Sequence, residues 1–91
     1  MIDITIYSKP MCPSCVKAKN VFKSMKLEYT EKTIGSDIQP GELMQLFEDK
    51  GLPAPRTAPQ IFIGGQHVGG YEQLLRYIED TGFNGTGSST G

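Results

Sequence analysis

Lys9-Pro10-Met11-Cys12-Pro13-Ser14-Cys15 lies between an alternating apolar run and a helical pattern, and its reading decides the fold. On its N-terminal side, residues 2–7 alternate isoleucine with Asp, Thr and Tyr, the period-two signature of a β-strand. On its C-terminal side, Cys15, Ala18, Phe22 and Met25 recur at helical spacing, with Lys17, Lys19, Lys23 and Lys26 elsewhere on the surface. Pro13 stands where the first helical residue should be; there its missing N–H costs nothing and its fixed φ suits the first turn. Cys12 is therefore expected at or just before the N-cap, and Cys15 inside the first turn. The unpaired N–H groups and the positive end of the helix dipole favour thiolate over thiol at Cys12. Lys9 adds a positive charge nearby.

Outward from this junction the chain continues in short elements. Residues 27–34, with Leu27 and Tyr29 against Glu28, Glu31 and Lys32, read as a second strand near a sheet edge, broken by Gly35-Ser36-Asp37. Residues 40–50 carry Leu43, Leu46 and Phe47 at helical spacing beside Met44, between Pro40 and Gly51. Residues 51–59 contain three prolines and read as loop. Gln60-Ile61-Phe62-Ile63 is a short strand, Gly64-Gly65 a hairpin turn and Gln66-His67-Val68 a returning strand. After Gly69-Gly70, the stripe Tyr71, Leu74, Leu75 and Ile78 marks a last helix ending near Gly82. The order β-α-β-α-β-β-α gives an α/β fold: a parallel βαβ unit, a hairpin and a closing helix, forming a four-stranded mixed sheet flanked by three helices on both its faces. Residues 1–81 form one domain, and the Gly/Ser-rich residues 82–91 read as a flexible tail.

Ninety-one residues allow one modest core, and neither a repeat nor a second domain is visible. A formal net charge of −1 gives no basic surplus for nucleic acid. No signal-peptide h-region and no membrane-length apolar run are present, so a cytoplasmic location is expected; a monomer is expected as well. In a reducing compartment two cysteines three apart are catalytic or metal-binding rather than a staple. Structural zinc wants four protein ligands, and His67 is the only other soft one, which favours redox chemistry and no metal. His67 itself reads as a strand or turn residue. Gly64-Gly65 and Gly69-Gly70 fit hairpin turns, not a nucleotide fingerprint. Asn84-Gly85-Thr86 matches a glycosylation acceptor that, without a signal peptide, never meets the machinery. The lysine series is a solvated helix face, with a docking surface for acidic partners as the alternative.

Three segments, Cys12-Pro13-Ser14-Cys15, Thr57-Ala58-Pro59-Gln60-Ile61-Phe62-Ile63 and Gly69-Gly70-Tyr71, resemble the signature segments of glutaredoxins in order and separation. The similarity runs over about residues 2–80, and the Gly-Gly-Tyr-Glu-Gln-Leu segment is most similar to small bacterial or bacteriophage dithiol members. The resemblance implies a thioredoxin-like (glutaredoxin) fold and reduction of protein disulfides and glutathione mixed disulfides. Glutathione is then the co-substrate, with no tightly bound cofactor. Cys12 is similar to the family's nucleophile and Cys15 to its resolving thiol. Pro59 matches the cis-proline opposite the cysteines, with Pro13 as the other structural proline. Ala58, after Thr57, matches the residue whose backbone pairs with the cysteinyl part of glutathione like an added strand. Lys9 and Arg56 match positions facing the glycyl carboxylate. Gly70, Tyr71, Glu72 and Gln73 match the helix start that receives the γ-glutamyl carboxylate.

The chain also departs from the family pattern. Ser14 replaces the common Tyr of the groove wall, Ala58 the commoner Val, and Glu72-Gln73 the usual Thr- or Ser-Asp. Glu72 competes with the ligand's carboxylate, while Gln73 keeps a hydrogen-bonding group without a charge. The implied partners are glutathione and disulfide-containing or glutathionylated proteins. An alternative within the same chemistry is a dithiol electron donor to ribonucleotide reductase, recharged by a thioredoxin-type reductase. A third reading is a non-catalytic module binding an iron–sulfur cluster or a partner.

Overall fold

The computed structural model describes residues 2–83. Its elements are β1 (Ile4–Ser8), α1 (Pro13–Ser24), β2 (Thr30–Thr33), α2 (Pro40–Asp49), β3 (Gln60–Ile63), β4 (Gln66–Gly69) and α3 (Tyr71–Thr81). The strands form one mixed sheet in the order β2-β1-β3-β4, with β1 parallel to β2 and antiparallel to β3, and β3 antiparallel to β4. This is the architecture read from the sequence.

Burial explains the order. Every residue of β3 is buried, as are four of the five in β1, whereas β2 at the edge is mostly exposed. Ile4 and Ile6 of β1 and Ile61 and Ile63 of β3 share one face with Ala18 and Phe22 of α1 and Leu74 of α3. Tyr7 and Phe62 point to the other face, where α2 supplies Leu43 and Phe47. Strand alternation thus divides the core between two helices on one side and one on the other.

The second strand begins three residues later than its pattern suggests. Lys26, at φ +60°, ends α1 in a left-handed turn; its N–H bonds the Lys23 carbonyl at 3.0 Å, and the Leu27 N–H bonds the Phe22 carbonyl at 3.0 Å. This paired closure spends the Leu27 amide on the helix end rather than on the sheet ladder. Leu27 and Tyr29 still pack against the core. Gly51 (φ +72°) and Leu52 close α2 in the same way, so Lys50 is its cap rather than its last helical residue.

Core packing continues past residue 81. Gly82 caps α3 in the left-handed conformation, and Phe83 is buried in the core, its ring 5.6 Å from that of Tyr77. An apolar side chain just beyond a helix-ending glycine packs back onto the last turn. Residues 84–91, including the Asn84-Gly85-Thr86 acceptor sequence and the rest of the expected tail, lie outside the described residues. Among the described residues, no helix is long and apolar enough to cross a membrane.

Candidate active site

β1 delivers the chain to the cysteine loop. After Ser8, Lys9 and Pro10 are exposed, and Met11 adopts a left-handed φ of +55° with its side chain almost wholly in solvent. Cys12 is then the N-cap of α1 in extended conformation, with Pro13 opening the helix and Ser14 exposed beside it. The Cys12 Sγ accepts the Cys15 N–H at 3.1 Å. A sulfur here replaces the usual oxygen cap, satisfying a donor that the helix leaves unpaired. The two cysteines are joined as a disulfide with their Cα atoms 5.2 Å apart. Both residues are buried, Cys12 6% exposed and Cys15 2%.

Two further segments close on this pair. The Ala58–Pro59 peptide bond is cis, and the Ala58 carbonyl oxygen lies 3.6 Å from the Cys12 Sγ. The start of α3 adjoins it: a Cβ placed on Gly70 would stand 3.6 Å from the Pro59 carbonyl oxygen and 3.1 Å from the Gln73 Oε1. Gln73 accepts the Gly70 N–H at 3.0 Å, which explains the tight fit. Glu72 lies exposed in the same first turn. Tyr71 links the helices, its ring centroid 5.8 Å from the Lys17 Nζ. On the other side, Lys9, Arg56, Thr57 and Ala58 line a hollow of about 190 Å³ that reaches Leu43 and Met44 of α2. A larger hollow of about 400 Å³, around Ile2, Lys26 and Tyr29, touches none of these residues.

The three sequence segments therefore converge on one place. A family model described as Glutaredoxin matches residues 4–68, taking in the cysteine pair and the cis-proline. The chain belongs to the glutaredoxin family. It is 33% identical over 85 residues to a glutaredoxin of Neisseria meningitidis, covering 93% of this chain and 95% of the relative. It is 35% identical over 76 residues to the hybrid peroxiredoxin hyPrx5 of Haemophilus influenzae, where it covers 84% of itself and 29% of that longer protein. Among solved structures it resembles the glutaredoxin of Brucella melitensis (TM-score 0.66, 36% identity, 90% of this chain and 83% of that one). A buckwheat glutaredoxin–glutathione complex gives a TM-score of 0.71 at 25% identity, covering 87% of this chain and 70% of that one.

In this glutaredoxin two polar residues beside the site carried no assigned role in the sequence. Gln60 is 6% exposed; its Nε2 donates to the Thr57 carbonyl at 2.9 Å. A carbonyl can only accept, so the Gln60 Oε1 faces His67 and takes the hydrogen of its Nε2 at 2.8 Å. Burial pushes the His67 pKa down. A polar residue inside an apolar strand next to the cis-proline was the available signal. The lysine face is likewise not uniformly solvated. The Lys19 Nζ lies 2.8 Å from the Glu31 carboxylate, which also accepts the buried Ser8 hydroxyl at 2.6 Å. The Lys19 hydrogen bond, then that of Ser8, holds the Glu31 carboxyl below the usual range.

Proposed function

We propose that this chain is a glutathione-dependent thiol–disulfide oxidoreductase with Cys12 as nucleophile and Cys15 as resolving thiol. The observation that carries the reading is the Cys12 sulfur at a helix N-cap, accepting a main-chain N–H and facing the Ala58 carbonyl. A hydrogen bond and a helix dipole both favour the thiolate, the attacking species in disulfide exchange.

In the monothiol route the Cys12 thiolate attacks the glutathione sulfur of a mixed disulfide. The target leaves as its thiolate and takes up a proton; Cys12 then carries the glutathione. A second glutathione thiolate attacks that sulfur, releasing glutathione disulfide and the Cys12 thiolate. In the dithiol route Cys12 joins one sulfur of a protein disulfide and the other departs as thiolate. The Cys15 thiolate then attacks Cys12, releasing the target and leaving the Cys12–Cys15 disulfide. Two glutathiones return that disulfide to two thiols and leave as glutathione disulfide.

Glutathione fits the surroundings in parts. The buckwheat relative of the same family holds glutathione. Ala58 offers a main-chain edge beside the sulfur, and the hollow between Lys9 and Arg56 offers two cations to a carboxylate. The far end is less accommodating, because Gln73 occupies the Gly70 N–H and Glu72 brings a negative charge. These two residues weaken retention of a γ-glutamyl carboxylate and favour the dithiol route on protein disulfides.

Turnover of hydroxyethyl disulfide with glutathione and glutathione reductase tests the reading, run beside thioredoxin reductase as sole electron source. NADPH oxidation with glutathione supports it. Reduction by the flavoenzyme alone replaces glutathione with a reductase, and the absence of both activities sinks the catalytic assignment.

A further inference from the structure

The Gln60 amide is used at both ends inside the protein. It lies on the sheet face under α2, with Tyr7 as its cross-strand partner in β1. Its nitrogen donates to Thr57, and its oxygen accepts from His67. The imidazole is itself fixed: the Phe47 ring of α2 stands 5.2 Å away at 78°, and the Phe62 ring of β3 is at 5.1 Å. The β3–β4 register pairs Phe62 with His67, and an irregularity beside Phe62 interrupts the ladder there. His67, Gln60 and the Thr57 carbonyl therefore form a continuous chain of hydrogen bonds from β4 to the loop facing Cys12.

We propose that Gln60 and His67 are positioning residues, whose chain of hydrogen bonds holds the Thr57–Ala58 main chain at the Cys12 sulfur for the incoming disulfide. The proposal rests on the disulfide-exchange reading above and assigns the placing of its main-chain contact.

Two physical points carry it. An apolar side chain would fill the Gln60 position without the desolvation cost of a buried amide. What the amide adds is a directed N–H, and that N–H lands on the residue before Ala58. The Ala58 carbonyl lies 3.6 Å from the Cys12 Sγ. Because a peptide unit is planar, a fixed Thr57 carbonyl fixes the Thr57–Ala58 unit as far as the Ala58 Cα, and only the φ and ψ of Ala58 then separate it from the Ala58 carbonyl. His67 then holds the other end of the amide. With the Gln60 nitrogen on the Thr57 carbonyl, the Gln60 oxygen faces the ring and selects its Nε2–H tautomer, whereas a turned amide would set the Gln60 and Thr57 oxygens, two acceptors, against each other.

The variants Gln60→Leu, His67→Leu and His67→Gln test this, with folding checked by circular dichroism. Each is assayed on a glutathionylated peptide for KM and kcat separately, and for Cys12 ionisation by thiolate absorbance. Both leucine variants should raise KM about tenfold, the scale of one lost hydrogen bond in a buried site. The Cys12 pKa should remain below the free-cysteine range, since the α1 N-terminus that lowers it is untouched. His67→Gln can still donate to the Gln60 oxygen and should remain within about twofold of wild type. An unchanged KM in Gln60→Leu overturns the proposal. So does His67→Gln falling as far as His67→Leu, because packing rather than the hydrogen bond would then be responsible. Nitrogen-15 shifts of His67 supply a readout independent of turnover. The Nε2–H tautomer should dominate in wild type and give way to a mixture in Gln60→Leu, whereas an Nδ1–H tautomer in wild type overturns the chain. If the wild type itself reduces no disulfide, the functional reading fails, and these shifts still decide the chain of hydrogen bonds.

Discussion

The Cys12 sulfur lies 3.1 Å from the Cys15 amide nitrogen and serves as the N-cap acceptor of α1. In the reduced protein the same place rewards a negative sulfur, because the amide donor and the helix dipole both stabilise it. Cys12 should therefore titrate well below the free-cysteine value of about 8.5, and Cys15, three residues further in and 2% exposed, should not. Thiolate absorbance near 240 nm in each single-cysteine variant measures both. A Cys12 value at or above that of free cysteine would contradict the electrostatic argument.

Cys12→Ser should abolish disulfide reduction, since a serine hydroxyl at the same cap is not ionised near neutral pH and forms no mixed disulfide. Any turnover above the enzyme-free rate in that variant would show that the nucleophile lies elsewhere.

The strands and helices were legible because each buries its apolar residues with its own period. Ile4 and Ile6 alternate in β1, and Ala18 and Phe22 recur in α1. The beginning of β2 was not, because Lys26 takes a left-handed position that sequence patterns reserve for glycine or asparagine. Phe83 was hidden by the Gly/Ser-rich residues that follow it. The candidate site divides the same way. Its cysteines stand on a local helix signal, which a sequence carries in full. The contact of Gln60 with His67 depends on the irregularity between Ile61 and Phe62 that shifts the β3–β4 ladder, and the Gly64-Gly65 turn does not announce it.

Phe83→Ala should destabilise the fold by about 3 kcal/mol, within the range for emptying a buried aromatic site. A chain ending at Thr81 should lose a similar amount. Urea denaturation of both against wild type checks this, with an unchanged m-value expected for the substitution. Equal midpoints would return residues 82 and 83 to the tail.

Stability should fall with acid in two stages. The folded pKa of His67 lies below its ordinary 6.5 because burial penalises the charged ring. As pH drops through about 6.5 the unfolded chain takes up the proton first, so this contribution is complete above that pH and declines below it. Glu31 lies below its ordinary 4.5 through Lys19 and Ser8; its contribution holds above about 4.5 and is lost as pH falls through the folded value. Glu31 is largely exposed, which makes the second stage shallow. Thermal midpoints from pH 8 to 3 should show His67→Gln losing the first slope and Glu31→Gln the second. Wild-type slopes in both variants would remove these residues as the cause.

Cys15→Ser separates the two proposed routes. The substitution keeps the backbone N–H that the Cys12 sulfur accepts, so the thiolate at Cys12 should survive. Cys12 can then take glutathione from a mixed disulfide and pass it to a second glutathione, because neither step uses the second thiol. A protein disulfide should instead stall at the mixed disulfide, with no neighbouring sulfur to cleave it. Gln73 and Glu72 set how far the first activity persists, since one occupies the Gly70 N–H and the other opposes a ligand carboxylate. Adding Glu72→Gln to Cys15→Ser should therefore lower KM for a glutathionylated peptide by a few-fold, about the worth of one charge at a helix N-terminus. It should leave insulin reduction absent. Loss of both activities in Cys15→Ser, with no recovery from Glu72→Gln, would mean that the groove does not hold glutathione and that the chain works only as a dithiol reductant.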